Sequence, residues 1–308
     1  MDPLLILGAA VVGLLVGMTG AGGGALMTPM LIVLFGIKPI AAISSDLVAS
    51  VVMRPIGAAV HVRARTVNFS LVKWMALGSV PAAFAGTYLL HLLGHHSAKG
   101  VKLALGAALL LGAFAMALRF LLDRRSGGQR AARLHELAVK PGVTVGIGVV
   151  GGLIVGLTSV GSGSLMIVLL LFAYPTIAAK QLVGTDLTQA VPLTLAAAAG
   201  ALLFGHVEFA VTGSLIIGSV PGVLVGSLLS STIPDRYIRP VIGLVIFASG
   251  LKYVGVANVL LLEIVGGVAV VLLGAWGVHT LRRRQASARV AATEREPAAG
   301  QVQIQRSV

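Results

Sequence analysis

Two glycine-rich interruptions within apolar sequence limit what this chain can fold into more than any other feature. The first reads Gly17-Met18-Thr19-Gly20-Ala21-Gly22-Gly23-Gly24-Ala25-Leu26-Met27. The second reads Gly156-Leu157-Thr158-Ser159-Val160-Gly161-Ser162-Gly163-Ser164-Leu165-Met166. Apolar runs flank them, residues 4–17 before the first and 26–37 after it. A helix rises about 1.5 Å per residue and a hydrocarbon core is about 30 Å thick, so each run reads as a half-helix too short to cross. Non-helical backbone at membrane depth survives only where protein or a wet cavity satisfies it. Broken segments at matching places in two halves are the pattern of a transporter's binding site.

Composition agrees. The chain is 57% hydrophobic and 11% charged, against about 25% charge in a soluble domain. A single polytopic membrane domain accounts for nearly all of it. Met1-Asp2-Pro3 is not a basic leader and no small-residue cleavage site follows, so no cleavable signal is expected. The absence of cysteine excludes disulfides, thiol nucleophiles and thiolate metal sites. The net charge of +13 is concentrated. Arg119, Arg124, Arg125, Arg130, Arg133 and Lys140 mark a central loop; Arg282, Arg283, Arg284, Arg289, Arg295 and Arg306 mark the tail. Nucleic-acid binding is one reading of such clusters. Short basic segments beside membrane helices more simply set topology by facing the cytoplasm.

The halves repeat. Gly17 pairs with Gly156, Gly22 with Gly161, Gly24 with Gly163 and Met27 with Met166, all 139 residues apart. The offset then becomes 140: Ser45-Asp46-Leu47 matches Thr185-Asp186-Leu187, and Gly78-Ser79-Val80-Pro81 matches Gly218-Ser219-Val220-Pro221. So many matches near one offset define an internal repeat. The expected fold is an all-α polytopic membrane protein of two inverted repeats. Each has a broken re-entrant helix pair (3–37 and 143–175) and three spanning helices, with one extra spanning helix at the C-terminal end. The first membrane repeat is placed at 1–122, a basic cytoplasmic loop at 123–142, the second repeat at 143–256, a final span at 257–281 and a disordered basic tail at 282–308. The spans within the repeats are expected at 40–62, 71–93, 101–122, 181–205, 210–232 and 238–255. Inversion follows from charge: re-entrant pairs leave both basic segments and the 63–70 loop cytoplasmic, whereas a crossing second pair would put the arginine tail outside.

The glycine loop resembles a dinucleotide fingerprint in isolation, with Asp46 about 20 residues on. The helix-length apolar flanks exclude the parallel sheet that fingerprint needs. Close helix packing explains Gly13-x-x-x-Gly17, Gly152-x-x-x-Gly156 and Gly222-x-x-x-Gly226. It does not explain four glycines in five residues at a break. A half-helix starting there directs unpaired amides and a positive dipole end into the membrane, where they can hold an anion. The expected substrate-binding residues are Thr19, Gly20, Gly22, Gly23 and Gly24 in the first break and Thr158, Ser159, Gly161, Ser162 and Gly163 in the second, with Ser164 adding a further hydroxyl.

Asp46 and Asp186 sit several residues into their spans. Ionisable groups there are costly and mark pathways or proton relays, and burial makes a carboxyl a better proton carrier; both are proton-coupling candidates. Arg54 lies eight residues after Asp46, near one helix face. It either neutralises Asp46 or binds an anionic substrate, and Thr194 replaces it in the second half. A nucleophilic Ser159 or Ser162 would need a base in reach, and the second half offers His206, which the topology places at the outer surface. The adjacent His95-His96 lacks the spacing that puts two ligands on one helix face. His61, His91 and Trp74, Tyr88 and Trp276 read as interface residues.

Gly20 and Gly22-Gly23-Gly24-Ala25-Leu26-Met27-Thr28-Pro29 after a short apolar run resemble the TauE/SafE sulfite exporter family. So do the Ser-Asp-Leu segment ending at Leu47, Val183-Gly184-Thr185-Asp186-Leu187 and the paired Gly-Ser-Val-Pro segments. The resemblance covers about residues 3–281. It implies a multi-pass permease of the bacterial inner membrane for sulfur-containing anions such as sulfite, sulfonates or sulfoacetate. The expected function is secondary-active transport, ion- or proton-coupled, with no enzymatic activity, cofactor or metal. The rivals are a passive anion channel of the same fold and an intramembrane hydrolase. The expected partners are the small anion and the bilayer, with no nucleic acid; a homodimer is the one protein assembly left open.

Overall fold

The computed structural model describes residues 2–19, 23–125, 138–229 and 235–268. Among them the chain is all-helical. In order come α1 (Pro3–Thr19), α2 (Gly24–Val33), α3 (Pro39–Arg63), α4 (Phe69–His96) and α5 (Ala98–Arg125). Then come α6 (Pro141–Thr158), α7 (Leu165–Ala173), α8 (Ala179–Phe204), α9 (Phe209–Leu229) and α10 (Asp235–Val254). A further helix, α11 (Asn258–Val268), begins where the main unit ends. The rest of the expected final span, the basic tail and most of the central loop lie outside the described residues.

Both glycine breaks are real interruptions, since α1 and α2 are separate helices, as are α6 and α7. Six helices are long and apolar enough to cross a membrane: α3, α4, α5, α6, α8 and α9. Here α6 corrects the expectation of a half-helix. Its helix starts at Pro141, a favourable first-turn proline, and runs 18 residues without a breaker until Ser159. α1 stays short, and α10 is not among the six because its apolar part begins only at Pro240.

Polarity is turned outside in. Leu4, Leu77, Phe114, Leu203, Phe209 and Leu228 are exposed, while Thr28, Ser45, Asp46, Arg54, Thr185, Asp186 and Gln189 are buried. Large apolar side chains outside and ionisable ones within is the distribution a lipid solvent selects.

The broken helices pack on the opposite half. α1 runs beside α9, with Gly13 against the Ser219 backbone, Gly17 against Val223, and Gly222 and Gly226 against Ala10 and Leu14. α6 runs beside α4 in the same way, with Gly152 against Ser79, Gly156 against Ala83, and Gly78 and Gly86 against Val145 and Leu153. A Cβ at any of these glycines would overlap neighbouring backbone, so the expected close-packing faces are present. Residue numbers rise together along both pairs, so each pair is parallel.

The long central helices α3 and α8 are antiparallel. Gly205, at the end of α8, lies on Ser44 near the start of α3; Gly57 faces Leu187; and Gly184, near the start of α8, meets His61 and Thr66 at the end of α3. Two equivalent hydrogen bonds fasten the ends. Ser45 Oγ accepts from the Glu208 amide at 3.1 Å, and Thr185 Oγ1 accepts from the Asn68 amide at 3.0 Å. The 140-residue offset relates both donors and both acceptors. α8 in turn runs parallel to α4, with Gln189 on Ser79 and Phe204 on Phe84 and Tyr88.

The broken pairs fold back as hairpins. Tyr174, just after α7, accepts from the Lys140 amide at 2.9 Å and shares a 2.6 Å hydrogen bond with Thr144, both at the start of α6. In the first half, Gly8 of α1 lies against Met30 and Phe35, at and beyond the end of α2.

Candidate functional site

The second break is shaped by three residues with positive φ: Ser159 at 60°, Gly161 at 122° and Gly163 at 92°. The two glycines adopt these angles without the penalty a Cβ would bring. Ser159 closes α6 in the left-handed conformation, its amide bonded to Val155 O at 2.7 Å. The Thr158 hydroxyl donates to Ile154 O at 2.7 Å and accepts from the Val160 amide at 3.2 Å. It is therefore already committed to the broken backbone. Ser162 is buried and its hydroxyl has no partner. At the first break, Gly20 and Gly22 and the Thr19 side chain lie outside the described residues. Gly23 and Gly24 are buried there.

The two breaks meet. A Cβ on Gly24 would collide with the carbonyl and hydroxyl of Ser159. Above this contact sits Asp46 of α3. Its Oδ2 accepts from Ser159 Oγ at 2.8 Å and from Thr28 Oγ1 of α2 at 2.9 Å. One carboxylate thus ties a residue of the second break to the helix that follows the first. Asp46 Oδ1 has no partner. The N-termini of α2 and α7 have no side-chain cap: Gly23 has no side chain, and Ser164 makes no capping bond.

Asp186 of α8 is buried and neither of its oxygens is hydrogen-bonded. Arg54 and Arg119 lie in its field, and the Gly163 amide acts on it from outside hydrogen-bond geometry. Arg54 is itself buried, and the charges of Asp186 and Asp46 both act on it. The within-helix spacing pointed to Asp46 alone. Thr194, in the equivalent position, turns its hydroxyl back onto Ala190 O at 2.8 Å, so Arg54 has no symmetric mate. Met53, next to Arg54, packs over Gly23.

Sequence reasoning missed Thr28 and the Gln189–Ser79 bond of 2.6 Å. Thr28 carried a signal, because its repeat equivalent is Ile167, an odd pairing for a structural position. His206, the base considered for Ser159, lies at the α8–α9 turn with its amide on Ser44. The Ser159 hydroxyl is bonded instead to Asp46. Among the described residues no group of three His, Cys, Asp or Glu side chains is placed to hold a metal.

A family model described as sulfite exporter TauE/SafE matches residues 5–253, which takes in both breaks, both aspartates and Arg54. The chain belongs to the TauE/SafE family. A relative in Bacillus subtilis (strain 168), named a probable membrane transporter protein YjnA, is 42% identical over 257 residues, covering 82% of this chain and all of the relative. No solved structure matches. The family and the relative identify a membrane transporter, and the outward apolar surface and six candidate spans are those of a membrane protein.

Proposed function

We propose that this TauE/SafE protein is a secondary transporter of small sulfur-oxygenated anions, such as sulfite, sulfonates or sulfoacetate, in the bacterial inner membrane. It works by alternating access and is coupled to an ion gradient. The observation that carries this reading is Arg54, a buried arginine on the same helix as Asp46, whose carboxylate joins the two helix breaks. Planar guanidinium matches oxyanions bidentately. Uncapped helix N-termini add oriented amides for the same charge. The residues named for substrate are those of the two breaks together with Arg54; the proton-coupling candidates are Asp46 and Asp186.

The two halves form an inverted repeat in this proposal. The antiparallel run of α3 against α8 supports it, as do the hairpin closures at Tyr174 and Phe35. Each broken pair would then enter and leave on its own side, although α6 has the length to cross.

A thermal-shift panel on purified protein tests the substrate class. Sulfite, sulfate, thiosulfate, taurine and sulfoacetate are compared, since a ligand bound only to the folded state raises its melting temperature with concentration. At least one sulfur oxyanion raises it in a saturable way. Five flat titrations would end the proposal.

A further inference from the structure

The two buried aspartates occupy equivalent positions in the repeat, yet their surroundings differ. Asp46 Oδ2 receives hydroxyls from Ser159 and Thr28. Asp186 receives none. The sequence accounts for the contrast. The repeat equivalents of Ser159 and Thr28 are Gly20 and Ile167, which have no hydroxyl to offer Asp186. The groups that act on Asp186 are the charges of Arg54 on α3 and Arg119 on α5, with the Gly163 amide ahead of α7. His61 of α3 lies against Gly184, two residues before Asp186 on α8. Among the described residues no ionisable side chain of α4, α6 or α7 acts on it, and Arg54 is the charge that acts on both carboxylates.

We propose that the aspartates divide the work: Asp186, buried without a hydroxyl partner, carries the coupled proton, and Asp46 is a positioning residue that ties the two breaks together. This rests on the anion-transporter reading. Neutralising Asp46 weakens two charge-assisted hydrogen bonds. Taking up a proton at Asp186 breaks none. Ionised Asp186 competes with a substrate anion for Arg54, whereas protonated Asp186 leaves the guanidinium to the anion. The proton comes from water on one side, forms one O–H bond on Asp186, and returns to water on the other side when that bond breaks. No further reactant is required. Anion and proton therefore occupy the site together.

The test uses the full chain in detergent and in vesicles, with Asp186→Asn, Asp46→Asn and Ser159→Ala. Sulfoacetate is the probe and a trapped pH dye reports protons. In wild type, proton entry accompanies sulfoacetate entry. In Asp186→Asn the residual sulfoacetate exchange carries no proton signal, and the melting temperature does not fall. In Asp46→Asn flux drops and melting falls by about 4 °C, but the remaining flux keeps its proton. Adding Ser159→Ala to Asp46→Asn costs less than the two single losses summed, as partners in one bond must. A proton signal that persists in Asp186→Asn, or vanishes in Asp46→Asn, overturns the assignment. Equal melting losses in the two Asn variants overturn the positioning role, whatever the substrate. Wild-type vesicles that take up no sulfoacetate, sulfite or taurine would overturn the transporter reading, and the proton role with it.

Discussion

Gly23 and Gly24 are adjacent, buried and glycine for different reasons. A methyl on Gly23 would meet Met53 Cε at 3.5 Å, an ordinary contact, whereas one on Gly24 would land on the Ser159 carbonyl. Gly24→Ala must therefore push the breaks apart, at an overpacking cost of about 1–3 kcal/mol, and move Thr28 and Ser159 away from Asp46. The expected outcome is lower melting and lost transport in Gly24→Ala, with Gly23→Ala close to wild type in melting; the two measured side by side check it. The sequence showed that this stretch could not be helix, because four glycines in five residues have no helical purpose. It could not show which glycine is sterically required, since that depends on Ser159, 135 residues away in a different helix pair. Arg54 teaches the same lesson. Spacing of eight along one helix relates it to Asp46, but only the packing of α3 on α8 brings Asp186 into its field.

At the scale of elements, the breaks and the close-packing glycines were readable because each has a local signature: a loss of helical propensity in one case and a four-residue glycine spacing in the other. The partners of those faces were not readable. Gly13 and Gly17 pack on α9 and Gly152 and Gly156 on α4, so each broken pair belongs spatially to the half it does not belong to in sequence. The length of α6 was misjudged for a related reason. Isolated glycines weaken a helix in water by about 1 kcal/mol each, but at Gly148, Gly152 and Gly156 close contact with the α4 backbone offsets that loss and α6 stays helical. The Ser45 and Thr185 hydroxyls, quoted only as part of the repeat, turn out to fasten the start of α9 to α3 and the start of α4 to α8.

At the scale of the whole molecule, exchanging the halves maps α1 on α9 to α6 on α4 and leaves the antiparallel α3–α8 pair in place. An inverted repeat in a membrane requires the turn at 64–68 and its equivalent at 205–208 to face opposite sides. The charge pattern puts the first in the cytoplasm. The chain has no cysteine, so single introduced thiols report without background. His206→Cys is labelled by an impermeant maleimide on intact cells, and Ala64→Cys only after permeabilisation; labelling of both from the same side contradicts inversion. The central claim, that two breaks and one buried guanidinium hold a sulfur oxyanion in transit, is met most directly by uptake of radiolabelled sulfite into proteoliposomes by wild type and Arg54→Lys. Lysine keeps the charge beside Asp186 and Asp46 but loses the planar fork. The account predicts saturable, gradient-driven uptake in wild type and at least about a tenfold loss of apparent affinity in Arg54→Lys, as expected when about 1.4 kcal/mol of binding is removed. Linear, unsaturable flux, or equal affinity in the two proteins, would contradict it.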